Sequence, residues 1–386
     1  MQKHIFRQSD IRGIIGIELM MHEIYPLMQA ILLELRIHDN AMQRIAVGLD
    51  GRVHGQEIYQ RVAQAIIEAG YQVDFLGICP TPVFEYALHQ LPVQAGIMIT
   101  ASASPAEYNG FKIYLHKQLV QADVLQSIYQ HYQSGLVANS VISNCHIGKI
   151  VPCPIINQYI DALWKEFAHL SEYDFSVVID CGHGTTGPII KNLIEKMHWQ
   201  QVITICDVID GAFPIHNPEP FDINNMKMLQ SAIISNKKSF GVSFDGDGDR
   251  MIVFDQFGNM ILGDVLSSLF LNNIFQKYAQ KSLVCDQQVV QGLRLNTVLH
   301  QNQIGIARDQ SAILKIFSQQ KNVIFGSQMH GRFFFKDRHA GYADGIYAFL
   351  RLLDILIKER KSLDELLTDL SLAQLLVLGQ ASEYEL

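Results

Sequence analysis

The sequence predicts an α/β protein made of three consecutive α/β units. Short β-branched runs alternate with helical runs along the chain, and this rhythm starts three separate times. The chain's 386 residues exceed one ordinary core, since roughly 150 residues per domain gives two or three. Apolar residues make up 48% and charged residues 18%, a composition that fills cores and is unlike that of disordered chains.

The first round runs as a strand over Ile45 to Leu49, a helix over Gln56 to Ala69, a strand over Tyr71 to Ile78, a helix over Pro82 to Leu91 and a strand over Gly96 to Thr100. Such alternation is that of βαβ units with mostly parallel strands. The second round places a strand over Phe175 to Asp180, a turn at Gly182-His-Gly184, a helix over Pro188 to Met197 and a strand over Gln201 to Cys206. The third has strands over Leu283 to Asp286, Ile304 to Ala307 and Val323 to Gly326, then a long helix over Asp344 to Lys358. Beyond Arg360 only a helix over Lys361 to Leu370 and an apolar run over Gln374 to Leu378 are expected. The units divide as residues 1–150, 151–255 and 256–372, followed by a short tail over 373–386.

A net charge of −8 argues against a broad nucleic-acid surface or an anionic-membrane surface. Any phosphate ligand must therefore be held by a local cluster of cations. The six cysteines, Cys79, Cys145, Cys153, Cys181, Cys206 and Cys285, form no C-x-x-C pair and no zinc-finger spacing, which fits a reduced cytoplasm. No run of about 18 apolar residues and no signal-peptide stretch is present, so neither export nor membrane insertion is expected.

The most informative motif is Asp245-Gly-Asp-Gly-Asp-Arg250, flanked by apolar runs over Phe240 to Phe244 and Met251 to Phe254. Carboxylates at alternate positions on a tight turn can converge hard oxygen donors on one small cation, while Gly246 and Gly248 permit unusual backbone angles. An EF-hand would need Gly at its sixth position and Glu at its twelfth, where this chain has Arg250 and Gln256. The alternative is a solvated Asp/Gly hairpin turn, but three such carboxylates repel one another without a cation.

The segment Thr100-Ala-Ser-Ala-Ser-Pro105 follows an apolar strand, so Ser102 and Ser104 sit where open α/β sheets place ligands. Tyr108-Asn-Gly-Phe-Lys112 and Asp10-Ile-Arg-Gly13 each add a cation beside turn residues.

Taken in chain order these pieces resemble the α-D-phosphohexomutase family, the phosphomannomutase/phosphoglucomutase enzymes. The likeness also covers Phe6 to Gly13, Gly48-Leu-Asp-Gly-Arg52, Asp210-Gly-Ala-Phe-Pro214 with His216 and Pro218-Glu-Pro220, Gly331 to Arg338, and Asp344-Gly-Ile-Tyr347. It runs from Phe6 to about Leu370. The resemblance implies three phosphohexomutase-type α/β domains around a cleft, with the family's fourth, C-terminal domain absent.

It further implies a phosphoserine at Ser102 that exchanges its phosphoryl group with a mannose or glucose 1- or 6-phosphate. Mg²⁺ would be held by Asp245, Asp247, Asp249 and Ser102, with Arg12, Lys112 and Arg250 supplying the positive field. Gln328, His330 and Arg308 fall at the family's substrate-reading positions.

Several positions depart from the family pattern. Ala103 and Ser104 stand where His and Asn usually follow the serine, and Ser9 replaces a Tyr. Ser311 takes the place of an acid/base histidine, and the Gly-Glu-Met-Ser-Gly-His loop becomes Ser327-Gln-Met-His-Gly-Arg332. Two expectations follow: a magnesium-dependent phosphohexomutase of weak activity, or a catalytically impaired homologue that binds sugar phosphates or regulates a partner.

Overall fold

The computed structural model describes residues 1–135, 148–278, 280–293 and 304–370. Cys145, the apolar run over 374–378 and the tail over 373–386 lie outside the described residues.

Sheet one holds β1 (Ile11–Ile14), β2 (Arg44–Leu49), β3 (Gln72–Ile78), β4 (Ala95–Ile99), β5 (Tyr108–Leu115), β6 (Gln118–Leu119) and β7 (Ile150–Pro152). Its order is β1-β5-β4-β2-β3-β7, with β6 added to β5. Sheet two holds β8 (Val177–Asp180), β9 (Ile203–Ile205), β10 (Phe240–Phe244), β11 (Met251–Phe254) and β12 (Met260–Ile261), ordered β12-β11-β10-β8-β9. Sheet three holds β13 (Ser282–Cys285), β14 (Ile304–Ile306), β15 (Val323–Ser327) and β16 (Phe333–Phe335), ordered β14-β13-β15-β16.

Each sheet repeats one plan. A parallel centre, β4-β2-β3, β10-β8-β9 or β15-β13-β14, is continued on one side by an antiparallel strand, β5, β11 or β16. The strands are therefore less uniformly parallel than the βαβ rhythm suggests. The departures are short returns, β4 to β5, β10 to β11 and β15 to β16, which need no crossover helix. Sheet one extends to Pro152 and sheet two to Ile261, past the expected boundaries at 150 and 255, because β7 and β12 pair back onto the preceding unit.

The helices are α1 (Met21–His38), α2 (Gly55–Glu68), α3 (Thr81–Gln90), α4 (Ala122–Ser134), α5 (Ile156–Phe167), α6 (Gly187–Met197), α7 (Lys227–Ser235), α8 (Gly263–Phe275), α9 (Gln287–Leu293), α10 (Gln310–Gln319) and α11 (Gly345–Glu359). One more covers 363–370. Helices α1, α2 and α4 bury Ile24, Leu27, Ile58, Val62, Leu125 and Ile128 against one face of sheet one. The opposite face, under α3, opens into a core continuous with units two and three, from Phe84 through Tyr159 and Phe244 to Phe349. Such continuity fixes the units against one another, and polar contacts inside it add direction. Tyr159 donates its hydroxyl to Asp344 at 2.9 Å, and Tyr347 donates to Glu166 at 2.7 Å. Among the described residues no helix is long and apolar enough to cross a membrane.

Candidate active site

The three returns meet. Residues 100–107 join β4 to β5, residues 245–250 join β10 to β11, and residues 328–332 join β15 to β16. Each lies at the carboxyl end of a parallel strand, where open sheets gather ligand-binding groups. Glycine makes the approach possible. A Cβ on Gly246 would stand 2.9 Å from the Ser102 carbonyl oxygen, and one on Gly331 would stand 2.5 Å from the Met251 carbonyl oxygen. Gly248 has a φ of +75°, as expected of the acidic turn, whereas Gly246 is not in the left-handed region and is required for its small size. Helix α11 closes the arrangement: Gly345 donates its N–H to the Gly248 carbonyl at 3.1 Å, which gives the Asp344-Gly-Ile-Tyr347 motif a structural purpose.

One side chain fixes the Ser102 turn. The Arg52 guanidinium donates to the carbonyl oxygens of Ser102 (2.8 Å), Tyr108 (3.0 Å) and Pro105 (2.6 Å) and also reaches that of Ser104. Asp50 orients Arg52 at 3.2 Å and accepts from the Thr100 hydroxyl at 2.6 Å, and Thr100 Oγ1 in turn accepts from Ser102 N at 2.8 Å. All four side chains are buried. Ser102, with φ at +49°, donates its hydroxyl to Asp245 Oδ2 at 2.7 Å and is fully buried. The loop is a built feature rather than a surface turn.

Asp245, Asp247 and Asp249 are each fully buried, with ligand oxygens within 4.8 Å of one another. Three cations converge on them. Lys112 Nζ lies 2.6 Å from Asp247 and 2.7 Å from Asp249, Arg250 Nε lies 3.6 Å from Asp245, and Arg332 Nη2 lies 3.0 Å from Asp249. Three acidic residues thus face three basic ones within the chain. Thr81, at the start of α3, donates to Asp247 Oδ2 at 2.6 Å.

Burial and the neighbouring carboxylates push Asp245 well above the usual carboxylate range. Burial acts the same way on Asp247 and Asp249, but Lys112, Thr81 and Arg332 together outweigh it at the first and Arg332, Lys112 and Arg250 at the second, so both are held low. The same two carboxylates raise Lys112 against the effect of its own burial.

The expected residues separate into two groups. Ser102, Arg12, Lys112, Arg250 and the three aspartates are brought together. Arg12 donates to Ser104 Oγ at 3.1 Å and pairs with Asp10, while Arg250 forks onto Glu219 at 3.1 and 3.0 Å. Arg12, Arg250, Arg7, Ser104 and Glu219 line an open cavity of about 430 Å³ beside the turn. His330 packs edge-on against Phe221 at 4.3 Å, and burial followed by nearby Arg250 lowers its pKa. Gln328 accepts through its carbonyl from Gly331 N at 3.0 Å, and its side-chain Oε1 is buried with no protein partner among the described residues. Arg308 does not join the cluster: it is exposed just past β14, and no contact among the described residues ties it to the aspartates. Ser311 also faces elsewhere, donating to Asp309 at 2.6 Å in the first turn of α10.

Arg332, Arg52 and Thr81 complete the site without having been singled out in the sequence as site residues. Arg332 ends the altered third-unit loop, Arg52 ends Gly48-Leu-Asp-Gly-Arg52, and Thr81 carries no motif.

The donor set fits a small hard divalent cation. All ligand atoms are oxygen, and Asp247 Oδ1 is buried without a hydrogen-bond partner, which leaves one anionic oxygen free to coordinate, while Asp249 Oδ1 is held by Arg332 at 3.0 Å. A metal at this position would share its aspartates with Lys112 and Arg332.

Comparison with known proteins gives a consistent result. A family model described as phosphoglucomutase/phosphomannomutase, alpha/beta/alpha domain I, matches residues 3–138, and the domain II model matches residues 157–258. A phosphomannomutase/phosphoglucomutase of Pseudomonas aeruginosa is 30% identical over 357 residues, covering 92% of this chain and 75% of that protein. A phosphoglucomutase of Neisseria meningitidis is 28% identical, with the same two coverages of 92% and 75%. Among solved structures, a family protein from Burkholderia thailandensis superimposes with a TM-score of 0.83 at 24% identity, covering 96% of this chain and 80% of that one.

Proposed function

This chain belongs to the phosphoglucomutase/phosphomannomutase family, and on that premise we propose that it exchanges a phosphoryl group between Ser102 and a hexose phosphate, with slow turnover. The observation that carries the reading is the Ser102 hydroxyl held 2.7 Å from Asp245 within a cluster of three carboxylates and three cations. Mannose or glucose 1- and 6-phosphates are the proposed substrates, and the cytoplasm the proposed compartment.

The residues divide the work as follows. Arg52 holds the turn by its carbonyls, so that Ser102 Oγ keeps one position through the exchange. Asp245 Oδ2 accepts the Ser102 hydroxyl proton in a hydrogen bond and thereby orients a lone pair of Oγ toward the incoming phosphorus. Arg12 and Arg250, which line the cavity, supply donors for the phosphate oxygens, and Lys112 adds a fixed charge beneath them. Asp245, Asp247, Asp249 and Ser102 would hold Mg²⁺, which supplies charge stabilisation for a phosphoryl group in transit. Full burial of Ser102 means that a donor reaches it only after the residues that cover it move aside, and this supports slow turnover.

A second reading, a sugar-phosphate-binding homologue without turnover, is favoured by two specific observations. Ser311 is tied to Asp309 rather than aimed at the cleft, and Arg332 occupies the aspartate cluster. Intact-mass measurement after incubation with glucose 1,6-bisphosphate and Mg²⁺ decides between them. The proposal expects one added phosphoryl group, lost in Ser102→Ala, together with measurable conversion of glucose 1-phosphate to 6-phosphate. No mass gain and no conversion sinks it in favour of the binding protein.

A further inference from the structure

Apart from the acidic turn, one other group of metal-ligating side chains comes together among the described residues: Asp180, Cys206 and His216, whose ligand atoms all lie within 4.8 Å of one another. Asp180 ends β8, and Cys206 directly follows the end of the adjacent parallel strand β9, so two of the three sit at the carboxyl edge of sheet two. His216 arrives from the long connection after β9. We propose that these three residues bind Zn²⁺, in a site separate from the aspartate cluster.

Three features argue for a built site. First, each donor is positioned by a second contact. Asp180 Oδ1 accepts from Gly182 N at 2.8 Å, which leaves Oδ2 for the site. The Cys206 backbone has φ at +49° and is pinned by His183 N donating to its carbonyl at 2.8 Å. His216 Nδ1 lies 2.8 Å from the Asn217 carbonyl, so this nitrogen carries a hydrogen and Nε2 turns toward Asp180 and Cys206. A ring nitrogen tied to a carbonyl with the other aimed at anionic donors is the arrangement of a metal-bound histidine.

Second, the spacings suit the ion. His216 Nε2 stands 3.0 Å from Asp180 Oδ2 and 4.0 Å from Cys206 Sγ. Zinc bonds of about 2.0 Å to nitrogen and oxygen and 2.3 Å to sulfur place tetrahedral neighbours about 3.3–3.7 Å apart. Shifts of less than about an ångström meet that requirement. Third, the donor set of nitrogen, sulfur and oxygen selects a borderline-soft ion, whereas the all-oxygen set at Asp245 selects a hard one. Three protein ligands leave a fourth position for water. Bound there, the ion would staple the edge of sheet two to the connection that carries Glu219, the partner of Arg250.

The competing arrangement places a proton on Nε2 and makes His216 and Asp180 a simple ion pair. Titration of the full chain with Co²⁺ as a spectroscopic substitute separates the two. A thiolate-to-cobalt charge-transfer absorption is expected in the wild-type chain and in Asp247→Asn, and is expected to vanish in Cys206→Ser. Cobalt at the aspartate cluster cannot produce it, since that cluster has no sulfur. Absence of the band from the wild type, or its persistence in Cys206→Ser, overturns the proposal. Should Cys206→Ser fail to fold, alkylation of the wild-type chain with and without Zn²⁺, mapped by mass spectrometry, replaces it. Zinc is expected to slow modification of Cys206 at least tenfold, and equal rates overturn the site.

Discussion

The acidic turn of sheet two and the third-unit turn over residues 328–332 occupy equivalent places in their sheets, yet only the first keeps the chemistry its position suggests. The acidic turn presents three buried carboxylates and meets Ser102 directly. The third turn reaches the same centre but brings a guanidinium, Arg332, onto Asp249 where the family pattern has a histidine. The backbone path is retained because Gly331 and Met251 fix it, while the side chain delivered along that path has changed from a titratable imidazole to a permanent cation. Topology holds the address, and the last residue of the turn decides what is delivered.

The largest effect should come from the Ser102 turn of the first unit, which the acidic turn meets. Arg52→Ala leaves Asp50 buried without its cation and several carbonyls without donors, and is expected to cost about 3–5 kcal/mol in urea unfolding. A loss under about 1 kcal/mol would show that the turn holds its shape without the clamp.

A smaller effect, visible only as a slope, is expected at Glu85, one turn along α3 from Thr81. Burial pushes its carboxyl up to about 8, although Tyr114 donates to it at 2.9 Å. Between its ordinary value near 4.5 and about 8 the folded chain therefore binds more protons than the unfolded one, so stability falls as pH rises through that window and levels off above it. Within that window stability is expected to fall by up to about 1.4 kcal/mol for each pH unit. Glu85→Gln should flatten that decline, whereas wild-type and variant curves that run parallel would remove Glu85 as its source.

Arg332→Gln sharpens the comparison itself. With one cation fewer on the aspartates, Mn²⁺ or Mg²⁺ should bind about tenfold more tightly by calorimetry, about 1.4 kcal/mol. Unchanged affinity would mean that Arg332 does not compete with the ion. Least of all is expected from Ser311→Ala. Loss of its bond to Asp309 should cost about 0.5–1 kcal/mol of stability and leave phosphoryl incorporation at Ser102 unchanged. A large drop in incorporation would return Ser311 to the site.

Much of the architecture was legible from local pattern. The strands over Phe240 to Phe244 and Met251 to Phe254 appear where apolar runs bracket the acidic turn, and the three rounds correspond to three sheets. The stretch before Arg44 was not read as structure, although α1 spans Met21–His38; Pro26 within it obscures a helical pattern. Within the site, Ser102, Lys112 and the aspartates were legible because short motifs announce them. Arg332 was visible only as a departure from a pattern, since its contact with Asp249 joins residues 83 positions apart through the meeting of two sheets. Arg308 is the complementary case: alignment with a motif located it in the chain, and the fold leaves it exposed.

The Arg52 clamp grips carbonyl oxygens, and every residue type has one. The shape of the Ser102 turn is thus insulated from the identity of the side chains it carries. Drift at positions 103 and 104 can replace bulky polar groups by Ala103 and Ser104 while the serine between Thr100 and Ala103 stays where it was. A turn anchored in this way can lose its accessory chemistry one substitution at a time and still fold as if nothing had been lost.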